Sequence, residues 1–310
     1  MSEPDLVVGV VNVEHDGLDG GQDKGRLERA CAILRAVGAQ LVLRQELKPG
    51  HGNQWLYRNA RLLGGLVPLV APATPESPNA TGVFYDPKVF APDAFYTHVT
   101  NFWHPQAAPA LRFEDIEVPI AVVSFHLCHY DDKTRGTEAN GLTRLIKRDR
   151  RGPVLIGGDC NSPVHRPQDE LGPLKNWDAP PGHPEYIADR SNYVHRTTRV
   201  WDGTKWIRVH DDGPDETLIT AGYVDAAHYA AHTLHQKQAL RPTASLWRTD
   251  QGPRQRIGRA YLSPELAQCL IKVEVLDQGE AAAVSDHAML LLHFNRAKVR
   301  AMLQQWALTA

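Results

Sequence analysis

Short apolar, β-branched runs recur along the chain, and the segments between them place apolar residues three or four positions apart. Seven runs read as strands, at 6–13, 41–43, 82–85, 120–125, 154–156, 271–276 and 288–294. Between the first two, Leu27, Cys31, Leu34 and Val37 keep helical spacing and Gly38 supplies a stop. A second helical pattern carries Trp55, Leu56, Ala60 and Leu63 and ends at Gly64-Gly65. Two more run over 137–148 and 298–307. Strands alternating with helices predict an α/β architecture. The stretch 163–250 departs from this pattern. It is rich in Pro, His, Asp and Trp (Trp177, Trp201, Trp206, Trp247), has weak periodicity, and is expected to be a loop-rich elaboration. No repeat or heptad is present.

Length alone, 310 residues, would allow two domains at about 150 residues each. Apolar residues at 42% and charged residues at 23% exclude a disordered or fibrous chain. The formal net charge of −2 supplies no global field toward nucleic acid or anionic lipid, so a phosphate-bearing partner must be drawn by a local patch or a bound cation. Four cysteines (Cys31, Cys128, Cys160, Cys269) form no CxxC pair and no zinc spacing, which points to a reducing compartment. The opening MSEPDLVVGVVNV lacks a basic region, and its apolar run is too short for a signal peptide or membrane span. A soluble, cytoplasmic, monomeric protein that does not engage membranes is expected.

The chemistry lies where apolar runs meet polar residues. VVGVVN ends at Asn12, followed by Glu14; LVLRQE ends at Glu46; AVVSFH ends at His126; VLIGGDCN ends at Asp159 and Asn161; AMLLLHF is preceded by Ser285-Asp286-His287. One acid or Asn at a strand end is ordinarily a turn or cap residue. Five such endings suggest a common site, because strand ends along one edge of an α/β sheet converge on the ligand crevice.

The motifs VNVEHDG (11–17), LRQEL (43–47), TGVFYDP (81–87), VVSFHLCHY (122–130), IGGDCNS (156–162), QRIGRAYLS (255–263) and VSDHAML (284–290) resemble, in this order, the endonuclease/exonuclease/phosphatase superfamily, the deoxyribonuclease I-like fold. The resemblance spans Asn12 to His287. It implies a single domain over 1–310: a four-layer α/β/β/α sandwich of two packed mixed β-sheets flanked by helices. It also implies a metal-dependent phosphoester hydrolase, a phosphodiesterase or nuclease or else a phosphatase, that uses Mg²⁺ or Mn²⁺. By that resemblance Glu46 is the leading metal ligand, with Asn12 and Asp286 completing the shell and Glu14 a further candidate in or behind it. Asp159 would orient or deprotonate the attacking water, and Asn161 would hold a phosphate oxygen. His287 would stabilise the transition state and His126 would assist the leaving group.

One position departs from the family pattern. Where the family usually has Arg-Ile-Asp, its Asp bonded to the histidine of Ser-Asp-His, this chain has Arg256-Ile257-Gly258. Water, or an acid such as Asp225 or Asp250, is expected to fill the space. The departure keeps open an alternative, a non-hydrolytic or recruited (biosynthetic or binding) protein on the same fold. Substrate-binding candidates are Arg44, Asn79, Arg196 and Arg199. The segment 190–210 carries Arg190, Arg196, Arg199, Lys205 and Arg208 with Trp201 and Trp206 interleaved, which suits nucleic acid, but Asp211, Asp212, Asp215 and Glu216 follow at once. A small phosphorylated molecule fits the mild charge equally well. A zinc site of His228, His232 and His235 is a weaker expectation, since no further ligand is near them in sequence.

Overall fold

The computed structural model describes residues 5–19, 22–48, 52–147, 151–165, 194–248 and 254–308. Elements follow in chain order β1 (Leu6–Asn12), β2 (Leu18–Asp19), β3 (Gln22–Asp23), α1 (Arg26–Ala36), β4 (Leu41–Leu47), α2 (Asn53–Leu62), β5 (Val67–Val70) and β6 (Ala80–Tyr85). Then come β7 (Phe90–His98), β8 (Gln106–Phe113), β9 (Pro119–His126), α3 (Asp132–Leu142) and β10 (Val154–Asp159). The remainder is β11 (Thr197–Trp201), β12 (Trp206–His210), α4 (Gly213–Thr220), β13 (Val224–Asp225), α5 (Ala226–His232), β14 (Gly258–Leu262), α6 (Pro264–Ala267), β15 (Leu270–Leu276), α7 (Gly279–Val284), β16 (Met289–Phe294) and α8 (Arg296–Ala307).

Two six-stranded sheets result, ordered β15-β16-β1-β4-β6-β5 and β13-β14-β10-β9-β8-β7. Within them β1 with β4 and β9 with β10 are parallel and the other pairs antiparallel, so both sheets are mixed. Strand alternation decides which residues fill which layer. Val8, Val10, Leu41 and Leu43 join Val122, Leu155 and Leu262 in a core between the sheets. Their neighbours Val11 and Val42 face outward onto Leu27, Leu34 and Cys31 of α1. On the far side Val123, Phe125 and Ile156 pack on Ala139 and Leu142 of α3 and Leu218 of α4. The order is helix, sheet, sheet, helix, the four-layer sandwich expected. The four cysteines are buried free thiols.

Three regions differ from expectation. The helix expected over 137–148 starts earlier, because Asp131 caps it by accepting the Thr134 N–H at 2.7 Å, and it breaks into a 3₁₀ turn at Thr143–Ile146. Strands β7 and β8 lacked a sequence signal, β7 being an edge strand whose later residues are mostly exposed. In the segment 163–250, the described residues hold a β-hairpin, two helices and a short strand rather than loops alone. These pieces are too short to show a period.

Candidate active site

The alternation that builds the inner core continues to the strand ends. After Val8 and Val10, Asn12 is the next inward residue of β1; after Val122 and Ser124, His126 is that of β9; after Leu155 and Gly157, Asp159 is that of β10. In β4 the same rule sends Gln45 inward and Arg44 outward, and Glu46 would follow Arg44. Instead Glu46 takes a φ of 56°, and the β4–β6 register slips between Arg44 and Leu47. This bulge turns the carboxylate back toward Asn12. A non-glycine residue held at such a φ costs about 1–3 kcal/mol, a strain found where a side chain must be aimed.

Asp159 is the centre of the cluster. Its Oδ2 lies 3.6 Å from Nε2 of His126 and 3.6 Å from Nε2 of His287, and accepts a 3.5 Å hydrogen bond from Asn12 Nδ2. Its Oδ1 accepts the Asn161 N–H at 2.9 Å. Asn12 Nδ2 also donates to Glu46 Oε1 at 3.1 Å, and Glu46 Oε2 accepts the His15 N–H at 2.7 Å. Asp286 Oδ2 stands 4.0 Å from His287 Nε2. Arg196 reaches in from just ahead of β11 and donates to Asn161 Oδ1 at 3.1 Å.

Charge is set by these neighbours. Burial opposes ionisation of Asp159, but His287, His126 and the Asn161 N–H outweigh it and hold the carboxyl below its ordinary range. Glu46 is lowered likewise: burial is outweighed by His126, the His15 N–H and His287. Burial would neutralise His287, yet Asp159, Asp286 and Glu46 together raise its pKa. For His126 burial prevails over Asp159 and Glu46, and its pKa falls. The His126 ring stacks on His104 with centroids 4.2 Å apart, and His104 in turn pairs with Ser77 Oγ at 2.6 Å. Burial, with His126 and His129 beside it, pushes His104 down to about 2.

A divalent cation fits one side of this cluster. Asn12 Oδ1 and Asp286 Oδ1 are buried without a hydrogen-bond partner, and such an oxygen costs about 1–3 kcal/mol unless it finds one. Among the described residues no three His, Cys, Asp or Glu side chains are placed to enclose a metal by themselves. The zinc site expected of His228, His232 and His235 is therefore not formed; Mg²⁺, which keeps several waters, would need only one or two carboxylates. Glu14 sits near Asp286 and Glu46, but its carboxylate is held by Arg248 and lies 3.9 Å from Arg26.

The remaining candidates divide. Arg44 is no substrate contact: fully buried on the outer face of β4, it pairs with Asp16 at 2.7 Å and with Asn59 at 3.3 Å. Asn79 is half-buried ahead of β6 and bonds Lys48 Nζ. Arg199 lies on the β11–β12 hairpin, with its guanidinium over the Trp206 ring. Asn161 uses both ends of its amide, Nδ2 donating to Leu127 O at 2.9 Å. Asp225 does not reach His287; it caps α5 and pairs with Arg256 at 2.8 Å. Asp250, Arg190 and Trp177 lie outside the described residues. Beside Gly258 stands Thr243, whose Oγ1 accepts the Gly258 N–H at 2.8 Å and donates to Gly258 O at 3.0 Å. A cavity with about 10 Å³ of room for a water's centre lies between Gly258, His287, Asp159 and Asn12. His287 Nδ1 is buried without a partner.

The model of the Endonuclease/Exonuclease/phosphatase family matches residues 9–287. The chain belongs to that family. No curated protein matches the sequence. Among solved structures, an endonuclease/exonuclease/phosphatase protein of Bacteroides vulgatus is 14% identical, with TM-score 0.62 over 94% of this chain and 98% of its own. A mannosyl-6-phosphatase of Bacteroides thetaiotaomicron is 14% identical (TM-score 0.59, 93% and 98% covered). TDP2 of D. rerio, solved with a single-strand DNA product, is also 14% identical (TM-score 0.59, 94% and 99% covered). At this identity the likeness is one of fold. Within this family member, sequence reasoning missed His104, Arg248 and Thr243, none of which stands at a strand's C-terminal end. The one available cue was the FWHPQ segment (102–106), polar and aromatic ahead of an apolar run.

Proposed function

We propose that the protein hydrolyses phosphoesters with a divalent cation, Mg²⁺ or Mn²⁺, held by Glu46 with Asn12 and Asp286. The observation that carries this reading is one buried carboxylate oxygen, Asp159 Oδ2, shared between two imidazoles and an amide beside two partnerless oxygens. Such a cation would neutralise phosphate charge and help expel the alkoxide. Asp159, held below its ordinary range against burial by His287 and the Asn161 N–H, takes the proton of the attacking water. His287, whose pKa is raised against burial first of all by Asp159, opposes the charge that grows on the phosphoryl oxygens. Arg196 adds a second cation at Asn161. His126, whose imidazole is held neutral, keeps Asp159 in place on the other side. The substrate is a phosphodiester of nucleic acid or a small phosphorylated molecule; a TDP2 holding a single-strand DNA product and a mannosyl-6-phosphatase, both similar in fold, support keeping both classes.

The test is hydrolysis of bis-p-nitrophenyl phosphate and p-nitrophenyl phosphate with Mg²⁺, with Mn²⁺ and with EDTA. Glu46→Gln keeps the shape and removes the charge, so turnover and Mg²⁺ affinity should fall at least tenfold with folding unchanged. Calorimetry that finds wild-type Mg²⁺ affinity in this variant removes Glu46 from the metal site. A second reading, a binding protein that does not hydrolyse, rests on the lone Nδ1 of His287 beside Gly258. A panel of phosphoesters left uncleaved under every metal condition decides for it.

A further inference from the structure

The β11–β12 hairpin stands beside the candidate site and takes no part in it. Thr198 Oγ1 ties it to Asp132 at the start of α3 at 2.6 Å, and Arg196 joins its base to Asn161. From there the strands run outward to the turn at 202–205. The register pairs Thr197 with His210, Arg199 with Arg208 and Trp201 with Trp206, so all six share one face. At its outer end Trp201 and Trp206 are 55% and 59% exposed, with ring centroids 5.8 Å apart and planes at 65°. The Arg199 guanidinium lies over Trp206, 5.5 Å from its ring centre. Asp202 is absorbed into the turn, where its Oδ1 accepts from the Thr204 and Lys205 N–H groups and the Thr204 hydroxyl. The tip therefore carries the cations of Arg199 and Lys205 beside the exposed Asp202 carboxylate, which faces the turn's own N–H groups.

We propose that this face is a stacking platform for unpaired bases of a single-stranded nucleic acid whose backbone passes toward Arg196. The inference rests on the phosphoester reading of the site. Each base offers a flat π face and each phosphate a charge, and paired indoles interleaved with guanidinium groups match both. A duplex presents no free base faces to such a ledge. Trp201 lies five residues from Arg196, or about 16 Å at the rise of an extended strand, which is a reach of a few nucleotides. The acidic run after the hairpin opposes this ligand less than its charge count suggests, because three of its four carboxylates are engaged within the protein. Asp211 is paired with Arg135, Asp212 with His165 at 2.8 Å, and Asp215 with Tyr261 at 2.6 Å. A lipid surface is the poorer match: the apex beyond the two indoles is the polar Asp202-Gly203-Thr204-Lys205, which would enter the bilayer first.

The experiment is fluorescence anisotropy of a labelled short oligo(dT) in EDTA, where no cleavage intervenes. Replacing both rings, Trp201→Ala with Trp206→Ala, should weaken binding at least tenfold, while Trp201→Phe with Trp206→Phe should recover most of it. Arg199→Ala should lower the slope of log Kd against log salt by about 0.7. The duplex of the same length should bind more weakly than the single strand. Wild-type affinity in the double alanine variant, or equal affinity for duplex, overturns the proposal. So does Trp-dependent sedimentation with phosphatidylcholine–phosphatidylserine vesicles that oligo(dT) fails to compete. Hydrolysis of bis-p-nitrophenyl phosphate by the wild type is read separately. Its absence together with Trp-dependent oligonucleotide binding would defeat the hydrolase reading and leave the platform standing.

Discussion

Asp159, His126 and His287 meet at one carboxylate oxygen, so the proton on each depends on the other two. Because Asp159 is lowered and His287 raised, an ionised acid beside a cationic imidazole is favoured, and activity should rise as Asp159 loses its proton. It should fall as rising pH removes the His287 proton. Gly258 makes this limb testable. A Cβ built there meets Thr243 Oγ1 at 3.2 Å and Thr243 Cβ at 3.4 Å, so Gly258→Asp alone must push Thr243 aside. Gly258→Asp with Thr243→Ala removes that crowding and offers His287 Nδ1 a carboxylate. The falling limb of the pH–rate profile should then move up by roughly one unit or more. Superimposable profiles would show that the new carboxylate does not reach the ring. At this scale most of the cluster was legible, because Asn12, His126 and Asp159 sit where strand alternation must bring them together. Thr243 and His104 were not, since loop residues acquire partners only from tertiary packing.

The strands themselves show where alternation ends. Arg44, expected near substrate, obeys the alternation and lies outside, while Glu46 reaches the site only through the bulge. No single-sequence pattern announces a bulge, so the placing of Glu46 beside Asn12 could be expected only from the motif. The seven expected strands all formed because each is buried on at least one face; β7, mostly exposed, gave no pattern to read. Helix α3 shows how an element secures the site from outside. Glu138 is buried on it and accepts the Trp103 and Cys128 N–H groups, each at 2.6 Å, fastening the segment that carries His104 and the end of β9. Burial, only partly offset by those N–H groups and Arg135, raises the Glu138 carboxyl to about 7. Glu138→Ala would orphan both N–H groups and should cost about 2–6 kcal/mol in denaturant unfolding. It should also loosen the His104–His126 stack, so activity falls further than the loss of folded protein explains. A loss under ~1 kcal/mol would mean that water replaces the carboxylate.

Across the whole molecule, the site exists because two sheets end together. Asn12 and Glu46 belong to one sheet and His126 and Asp159 to the other, while Asp286 and His287 precede β16, which pairs with β1 and so joins the two ends of the chain. The spacing between the sheets therefore sets the distance from Asp159 to Asn12 and Glu46. Gly157 controls that spacing. It shares Asp159's face of β10, and a Cβ there would lie 2.8 Å from Val10 Cγ2 and 3.2 Å from Leu43 Cδ2, both in the facing sheet. Gly157→Ala must push β10 away from β1 and β4, costing about 1–3 kcal/mol through overpacking. Because Asp159 moves with β10 while Asn12 and Glu46 stay with their own sheet, kcat should drop more than tenfold at full saturation with metal. Val10→Ala removes the methyl groups in the way, at the cost of a small cavity of its own. In the double variant the two changes should compensate, so that stability and kcat both exceed the values expected from adding the single effects. Additive losses in unfolding and in kcat would show that the sheets are not held apart at this point, and that Asp159 is positioned by its immediate neighbours alone.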